Sequence, residues 1–254
     1  MITAWRDDGP ADAPPIVLLH SLGSDTSMWQ PQVDALADRF RLIRLDTRGH
    51  GRAPSPDGPY ALADLGGDVI DVLDHLGLDT VHLCGLSLGG LTALWVALHH
   101  PDRLRTLTAA NTAARVGSAE GWAARIDAVR THGLAGIRDD VLERFFAAGF
   151  DVAQPVAFAD AQRAFTTADG EGYAACCAAL GDADLRDEVQ RIAVPTLVVG
   201  GVLDVATPPS DAEWLAARIP GAELVVLDDA AHLSNLDQPA AFTAALAQHV
   251  EGGG

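Results

Sequence analysis

The chain has 254 residues, 48% of them hydrophobic and 20% charged, which suits one globular domain with a large core and excludes a disordered chain. A formal net charge of -18 argues against nucleic acid and against an anionic membrane surface as partners. All 17 basic residues are arginines, which fits the coding bias of a GC-rich genome, and adaptation to salt is a second explanation of the acidity.

Residues 2–6 read as a short edge strand, followed by a Gly/Pro/Asp-rich turn. Residues 15–19 are an uninterrupted apolar run, as expected of a central parallel strand, and lead into His20-Ser21-Leu22-Gly23. Ser27 opens a helical pattern with Trp29, Val33, Leu36 and Ala37 on one face. Residues 40–45 form another strand, ending in Asp46-Thr47-Arg48-Gly49-His50-Gly51. A Pro/Gly loop precedes an amphipathic helix over 62–76, with Leu65, Val69, Val72, Leu73 and Leu76 as its apolar stripe. A strand from Val81 then meets Gly85-Leu86-Ser87-Leu88-Gly89, and a long apolar helix begins at Leu91. A strand over 104–109 closes this half. From 113 to about 187 strand signals vanish and helices rich in Ala and Arg follow one another. After Val194-Pro195 the alternation resumes, with strands over 196–201 and 223–227 and helices over 211–218 and 239–250. The tail, residues 252–254, is all glycine and reads as flexible, a possible linker remnant.

Strands alternating with helices mean a mostly parallel sheet flanked by helices, with residues 113–187 as a helical cap on a core of 1–112 and 188–254. Ligands bind such sheets at the carboxyl ends of the strands. The segments at His20, Asp46, Ser87 and Asp204 all fall there. Cys84, Cys176 and Cys177 offer no disulfide framework and fit a reducing, cytoplasmic setting. No Cys/His spacing suggests a metal, no signal peptide opens the chain, and no apolar run is long enough to cross a bilayer.

G-x-S-x-G between a strand and a helix is the layout of a nucleophile elbow, in which small flanking residues admit a tight turn. A serine hydroxyl needs a base, and the base needs an anion to orient it. In folds built on such an elbow the acid and then the base follow the serine along the chain. Asp204, just past the strand over 196–201, is the preferred acid. Asp211 reads as a helix cap, and Asp228 and Asp229 as turn residues. His232, in the loop before the last helix, is the preferred base, whereas His75, His99, His100, His132 and His249 lie on helices or their ends, His82 is in the elbow strand, and His20 and His50 suit loop-shaping roles. The backbone N–H groups of Leu88 and Leu22 are the expected donors to the oxyanion that forms on attack.

With Ser87, Asp204 and His232 in this order, the chain resembles the α/β-hydrolase superfamily. The segments His20 to Gly23 with Met28-Trp29, Asp46 to Gly51, Gly85 to Gly90, Ala110-Asn111-Thr112-Ala113-Ala114-Arg115-Val116-Gly117 and Ala231 to Asn235 are similar to those of the 3-oxoadipate enol-lactonases. One departure is the short N-terminus, with room for one strand before Pro15 where that family usually has two. The resemblance implies hydrolysis of 3-oxoadipate enol-lactone, a small carboxylate-bearing lactone, through an acyl-enzyme and without metal or cofactor. It also implies a cation in the cap for the substrate carboxylate. Arg115, Arg125, Arg130, Arg138, Arg144 and Arg163 are available, with Arg125 and Arg144 preferred because each follows an aromatic or apolar helix start. Trp122 either walls the pocket or packs the cap onto the core. A carboxylesterase or a perhydrolase of the same fold is the alternative. Ser87 argues against a dehalogenase, which needs a carboxylate at the elbow, and an intact triad argues against a binding protein without turnover.

Overall fold

A computed structural model describes residues 2–253. Seven strands form one sheet in the order β1-β3-β2-β4-β5-β6-β7. They are β1 (Trp5–Asp8), β2 (Pro15–Leu19), β3 (Arg41–Leu45), β4 (Val81–Leu86), β5 (Leu104–Ala110), β6 (Thr196–Gly201) and β7 (Glu223–Leu227). All neighbours are parallel except β1, which pairs antiparallel with β3, Trp5 opposite Leu45. That pairing starts the edge strand three residues later, and ends it two residues later, than the sequence pattern predicts, because β3 supplies its ladder and Gly9, at φ 91, ends it.

The core helices are α1 (Gln30–Leu36), α2 (Leu62–Leu76), α3 (Leu88–His99), α9 (Pro209–Arg218), α10 (Ser234–Asp237) and α11 (Pro239–Gly252). Every residue of β4 and β6 is buried, which explains their mainly apolar sequences; the exception inside β4, His82, is hydrogen-bonded to the Thr106 hydroxyl at 2.9 Å. α3 starts directly after Ser87, three residues earlier than its apolar pattern suggests, and is buried on nearly every face. α1 follows a single 3-10 turn whose cap is Asp25 rather than Ser27; the Ser27 N–H donates to the Asp25 carboxylate at 2.8 Å. α11 extends through Gly252, so part of the expected flexible tail is helix, and Gly254 lies outside the described residues. Among the described residues, no helix is long and apolar enough to cross a membrane.

Between β5 and β6 the chain forms α4 (Ala119–His132), α5 (Arg138–Phe145), α6 (Phe150–Ala153), α7 (Pro155–Thr167) and α8 (Gly170–Asp182). This insertion lies at the carboxyl ends of the strands: the Tyr173 ring packs tilted against that of His50, with centroids 6.1 Å apart, and the Leu233 N–H donates to the Phe145 carbonyl at 2.8 Å. The chain runs from β2 outward to β3, then crosses back to lay β4 against the other side of β2. The loops after β2 and β4 diverge there, leaving the crevice in which ligands of open parallel sheets bind.

Candidate active site

The elbow follows from two close approaches. A Cβ on Gly85 would overlap the Gly89 carbonyl, and one on Gly89 would overlap the carbonyl of Leu19 and meet that of His20 at 2.8 Å. Only glycine lets the first turn of α3 lie against both its own strand and the end of β2. Ser87 itself has φ 60 and ψ -116, a conformation that costs a non-glycine residue about 1–3 kcal/mol. It is held there by its N–H donating to the Ala110 carbonyl (2.9 Å) and by the Thr112 hydroxyl donating to its carbonyl (2.9 Å).

The loop after β2 is fixed by two buried histidines. The Gly23 N–H donates to Nε2 of His50 (3.0 Å), and the Thr47 N–H to Nε2 of His20 (2.9 Å). Each Nε2 is therefore an acceptor, which puts the ring proton on Nδ1, where His20 donates to the Ser21 carbonyl and His50 to that of Arg48. Burial, with the neighbouring His20 adding to it, pushes His50 down to about 3, so this brace is neutral. Among the described residues the Leu22 N–H, between these tethers, meets no protein acceptor. The Leu88 N–H is the first of α3, where helix geometry supplies no partner. Leu22 lines the same pocket as Ser87, and the Leu88 N–H lies at the positive end of α3.

His232 and Asp204 meet across the ends of β6 and β7. Nδ1 of His232 donates to Oδ2 of Asp204 at 2.9 Å, and both residues are buried. Asp204 accepts further bonds from the N–H groups of Ala206 and Thr207, the Thr207 hydroxyl and the Asn111 amide. Burial opposes its ionisation, but the facing His232 and these donors outweigh burial and hold its carboxyl below the usual range. Asp211 lies in the first turn of α9, raised by burial and by the charge of Asp204, while Asp228 and Asp229 occupy the turn after β7. Among the described residues none of these three hydrogen-bonds His232.

Asn111 is the member of this network that sequence reasoning missed. It is buried with φ 43, donates to Asp204 (3.0 Å) and to the Ala231 carbonyl (3.2 Å), and accepts from the Ser234 hydroxyl. The sequence shows Asn111 only as the first residue of a segment leading into the insertion. Its place directly after β5, beside the elbow strand, was the available signal.

Ser87 and His232 line two adjoining chambers, which share Trp122, Arg125, Arg144 and Ala206 as walls. The smaller, about 80 Å³, is bounded by Leu22, Val141, Phe145 and Tyr173. The larger, about 260 Å³, is bounded by Val116, Gly117, Ser118 and Val205.

Residues 14–130 match the family model described as alpha/beta hydrolase fold, and residues 163–253 the one described as TAP-like protein. The chain is 42% identical to 3-oxoadipate enol-lactonase 2 of Acinetobacter baylyi, over 94% of its own length and 89% of that protein's. The chain belongs to the α/β-hydrolase family. The enol-lactonase of Burkholderia xenovorans has the same fold at a TM-score of 0.95, with 44% identity over 98% of this chain and 96% of that one. A thermophilic esterase from Thermogutta terrifontis, with malate bound, follows at a TM-score of 0.93 and 30% identity, over 99% and 93% of the two chains.

In this hydrolase the arginines of the insertion divide by partner. Arg115 lies 3.5 Å from Asp184, Arg130 3.0 Å from Glu171, Arg138 2.8 Å from Asp139, and Arg163 3.0 Å from Asp160. Among the described residues Arg125 and Arg144 have no such carboxylate, and these are the two at the chambers. Trp122 lines both chambers, and its indole N–H donates to the Val116 carbonyl (2.7 Å), a bond within the insertion that pins the start of α4.

Proposed function

We propose that this hydrolase opens 3-oxoadipate enol-lactone to 3-oxoadipate by acyl transfer through Ser87. The observation that carries the reading is a serine site lined by the two arginines of the insertion, among those named above, that have no carboxylate partner among the described residues. In a protein of net charge -18, an anionic substrate is repelled at long range and needs local cations. A guanidinium with no carboxylate of its own is free to grip the substrate's carboxylate in bidentate fashion. The kinship with enol-lactonases at 42–44% identity supports the same substrate.

The chemistry follows from the arrangement. His232, oriented through Nδ1–H by Asp204, takes the Ser87 proton at its other ring nitrogen as the serine oxygen attacks the lactone carbonyl. The N–H groups of Leu22 and Leu88 hold the oxyanion; one such donor is worth about 100- to 1,000-fold in turnover. The ring C–O bond then breaks, and the ring oxygen leaves as an enol with the proton from His232 and later becomes the ketone. Water, deprotonated by His232, attacks the acyl-serine, and the second carboxylate of the product departs with Ser87 restored. The insertion, residues 113–187, serves as the cap that selects substrate, over a core of 1–112 and 188–254. Arg125 and Arg144 bind the carboxylate, and Trp122 walls the site.

The test is the loss of enol-lactone ultraviolet absorbance with wild type and with Ser87→Ala. Wild type turns the lactone over, and Ser87→Ala slows it by about 10⁴-fold or more. A Ser87→Ala enzyme as fast as wild type refutes the nucleophile. Wild type that cleaves p-nitrophenyl acetate but leaves the lactone intact refutes the substrate and leaves a carboxylesterase.

A further inference from the structure

Asp237 stands at the end of α10, five residues past the base, and no step above uses it. Its carboxylate is tied to two separate parts of the molecule. The Ala231 N–H, directly before His232, donates to it at 2.7 Å. The Ala147 N–H, in the turn after α5, donates at 3.2 Å to each of its oxygens. Beside this clamp, the N–H of Leu233, directly after His232, donates to the carbonyl of Phe145 at 2.8 Å. The Phe145 ring stacks near that of His232, with centroids 6.1 Å apart. The base is therefore fastened on both sides along the chain to the end of α5, once through Asp237 and once directly. The same helix carries Arg144, which lines both chambers.

A half-buried carboxylate without a counter-ion is costly. Burial pushes the Asp237 carboxyl up to about 6, against the two amide donors. The charged and titratable side chains on the elements around it are Asp228 and Asp229 before the histidine loop, His232 in it, Arg138, Asp139, Asp140, Glu143 and Arg144 on α5, Asp151 on α6, and His249 and Glu251 on α11. Among the described residues none forms an ion pair with Asp237, whose carboxyl is governed by burial and the two amides. An asparagine could accept the same two bonds without burying a charge. What the carboxylate adds is strength, since a charge-assisted hydrogen bond is about twice as strong as a neutral one.

We infer that Asp237 is a positioning residue for the base: its ionised carboxylate fixes the His232 loop to the helix that carries Arg144. Substrate held by the insertion then meets an imidazole already aligned. A proton on Asp237 weakens both bonds, so acid lowers activity through this group as well as through the base. The inference rests on the reading of Ser87, Asp204 and His232 as the reacting triad.

The experiment is the pH profile of kcat and KM for Asp237→Asn beside wild type, with Asp237→Ala as a second variant. Asp237→Asn is expected to lower kcat about five- to twentyfold near neutral pH, to leave KM within about twofold, and to make the acidic limb shallower because one titrating group is gone. Asp237→Ala is expected to fall further, since it accepts neither bond. An Asp237→Asn enzyme with wild-type kcat and an unchanged acidic limb overturns the inference, as does a loss confined to KM. Asp237→Asn decides alone if Asp237→Ala does not fold. Each variant is measured on p-nitrophenyl acetate as well as on the lactone. Wild type that ignores the lactone refutes the substrate reading, while the ester still reports the alignment of His232.

Discussion

Ser87, Asp204 and His232 stand at the ends of strands, while Arg125 and Arg144 project from helices of the insertion. The first set is fixed by backbone: two glycines without room for a Cβ, a serine at φ 60, and an aspartate accepting five hydrogen bonds. The second set is distinguished by what it lacks among the described residues, a carboxylate partner. α4, which carries Arg125, buries only Val129, whereas α3 is buried along most of its length. On the proposed function, the sheet half builds a generic acyl-transfer centre and the insertion sets which molecule reaches it. Each half should fail in its own way when altered.

The largest effect belongs to the sheet half. Asp204→Asn is expected to lower kcat by about 10³- to 10⁴-fold on every ester, because the imidazole loses both its orientation and the anion that balances it. Steady-state rates on the lactone and on p-nitrophenyl acetate should fall by the same factor; an undiminished variant would return the role to Asp211, Asp228 or Asp229. Asn111→Ala is expected to cost less, about tenfold to a hundredfold in kcat, by freeing Asp204 and the Ala231 carbonyl of a shared donor. Equal losses on both substrates are the check.

Arg125→Gln and Arg144→Gln should break the other half. Each is expected to raise KM for the lactone about tenfold to a hundredfold, with kcat nearly unchanged and the neutral ester unaffected. Arg130→Gln, whose exposed partner is Glu171, should change either substrate by less than about twofold. A lactone KM that responds to Arg130 as strongly as to Arg125 would erase the distinction between paired and unpaired arginines.

The smallest expected effect is on stability. His50 is held neutral by burial, so the unfolded chain binds a proton that the folded chain refuses as pH falls below the ordinary histidine value. The folded pKa lies below the unfolded one, and stability is lost from about pH 6.5 down to about pH 3. Denaturant titrations across that window should show a flatter loss for His50→Asn, which retains an acceptor for Gly23 but takes up no proton. An unchanged pH dependence would remove His50 from the account of the oxyanion loop.

The sheet and the elbow were legible in the sequence because buried parallel strands are uninterrupted apolar runs and because the turn demands Gly85 and Gly89 at fixed places. Asp204 and His232 were legible by position, each just past a strand. Asn111 was not, since its role arises from β5 lying between β4 and β6, and no local pattern carries that neighbourhood. Asp237 was hidden for a similar reason: its partners include Ala147, 90 positions away along the chain. The edge strand was misplaced because its register is set by β3. The arginines of the insertion looked alike as a sequence, and only the distances to Asp184, Glu171, Asp139 and Asp160 separate those already paired from Arg125 and Arg144.

The most direct measurement is the ratio of kcat/KM for 3-oxoadipate enol-lactone to that for p-nitrophenyl acetate, in wild type and in an Arg125→Gln/Arg144→Gln double variant. Wild type is expected to favour the lactone by about 100-fold or more, and the double variant to lose most of that preference while cleaving the ester at the wild-type rate. A wild-type enzyme that cleaves the ester rapidly and leaves the lactone untouched, or a double variant with its preference intact, would contradict the division of labour between sheet and insertion.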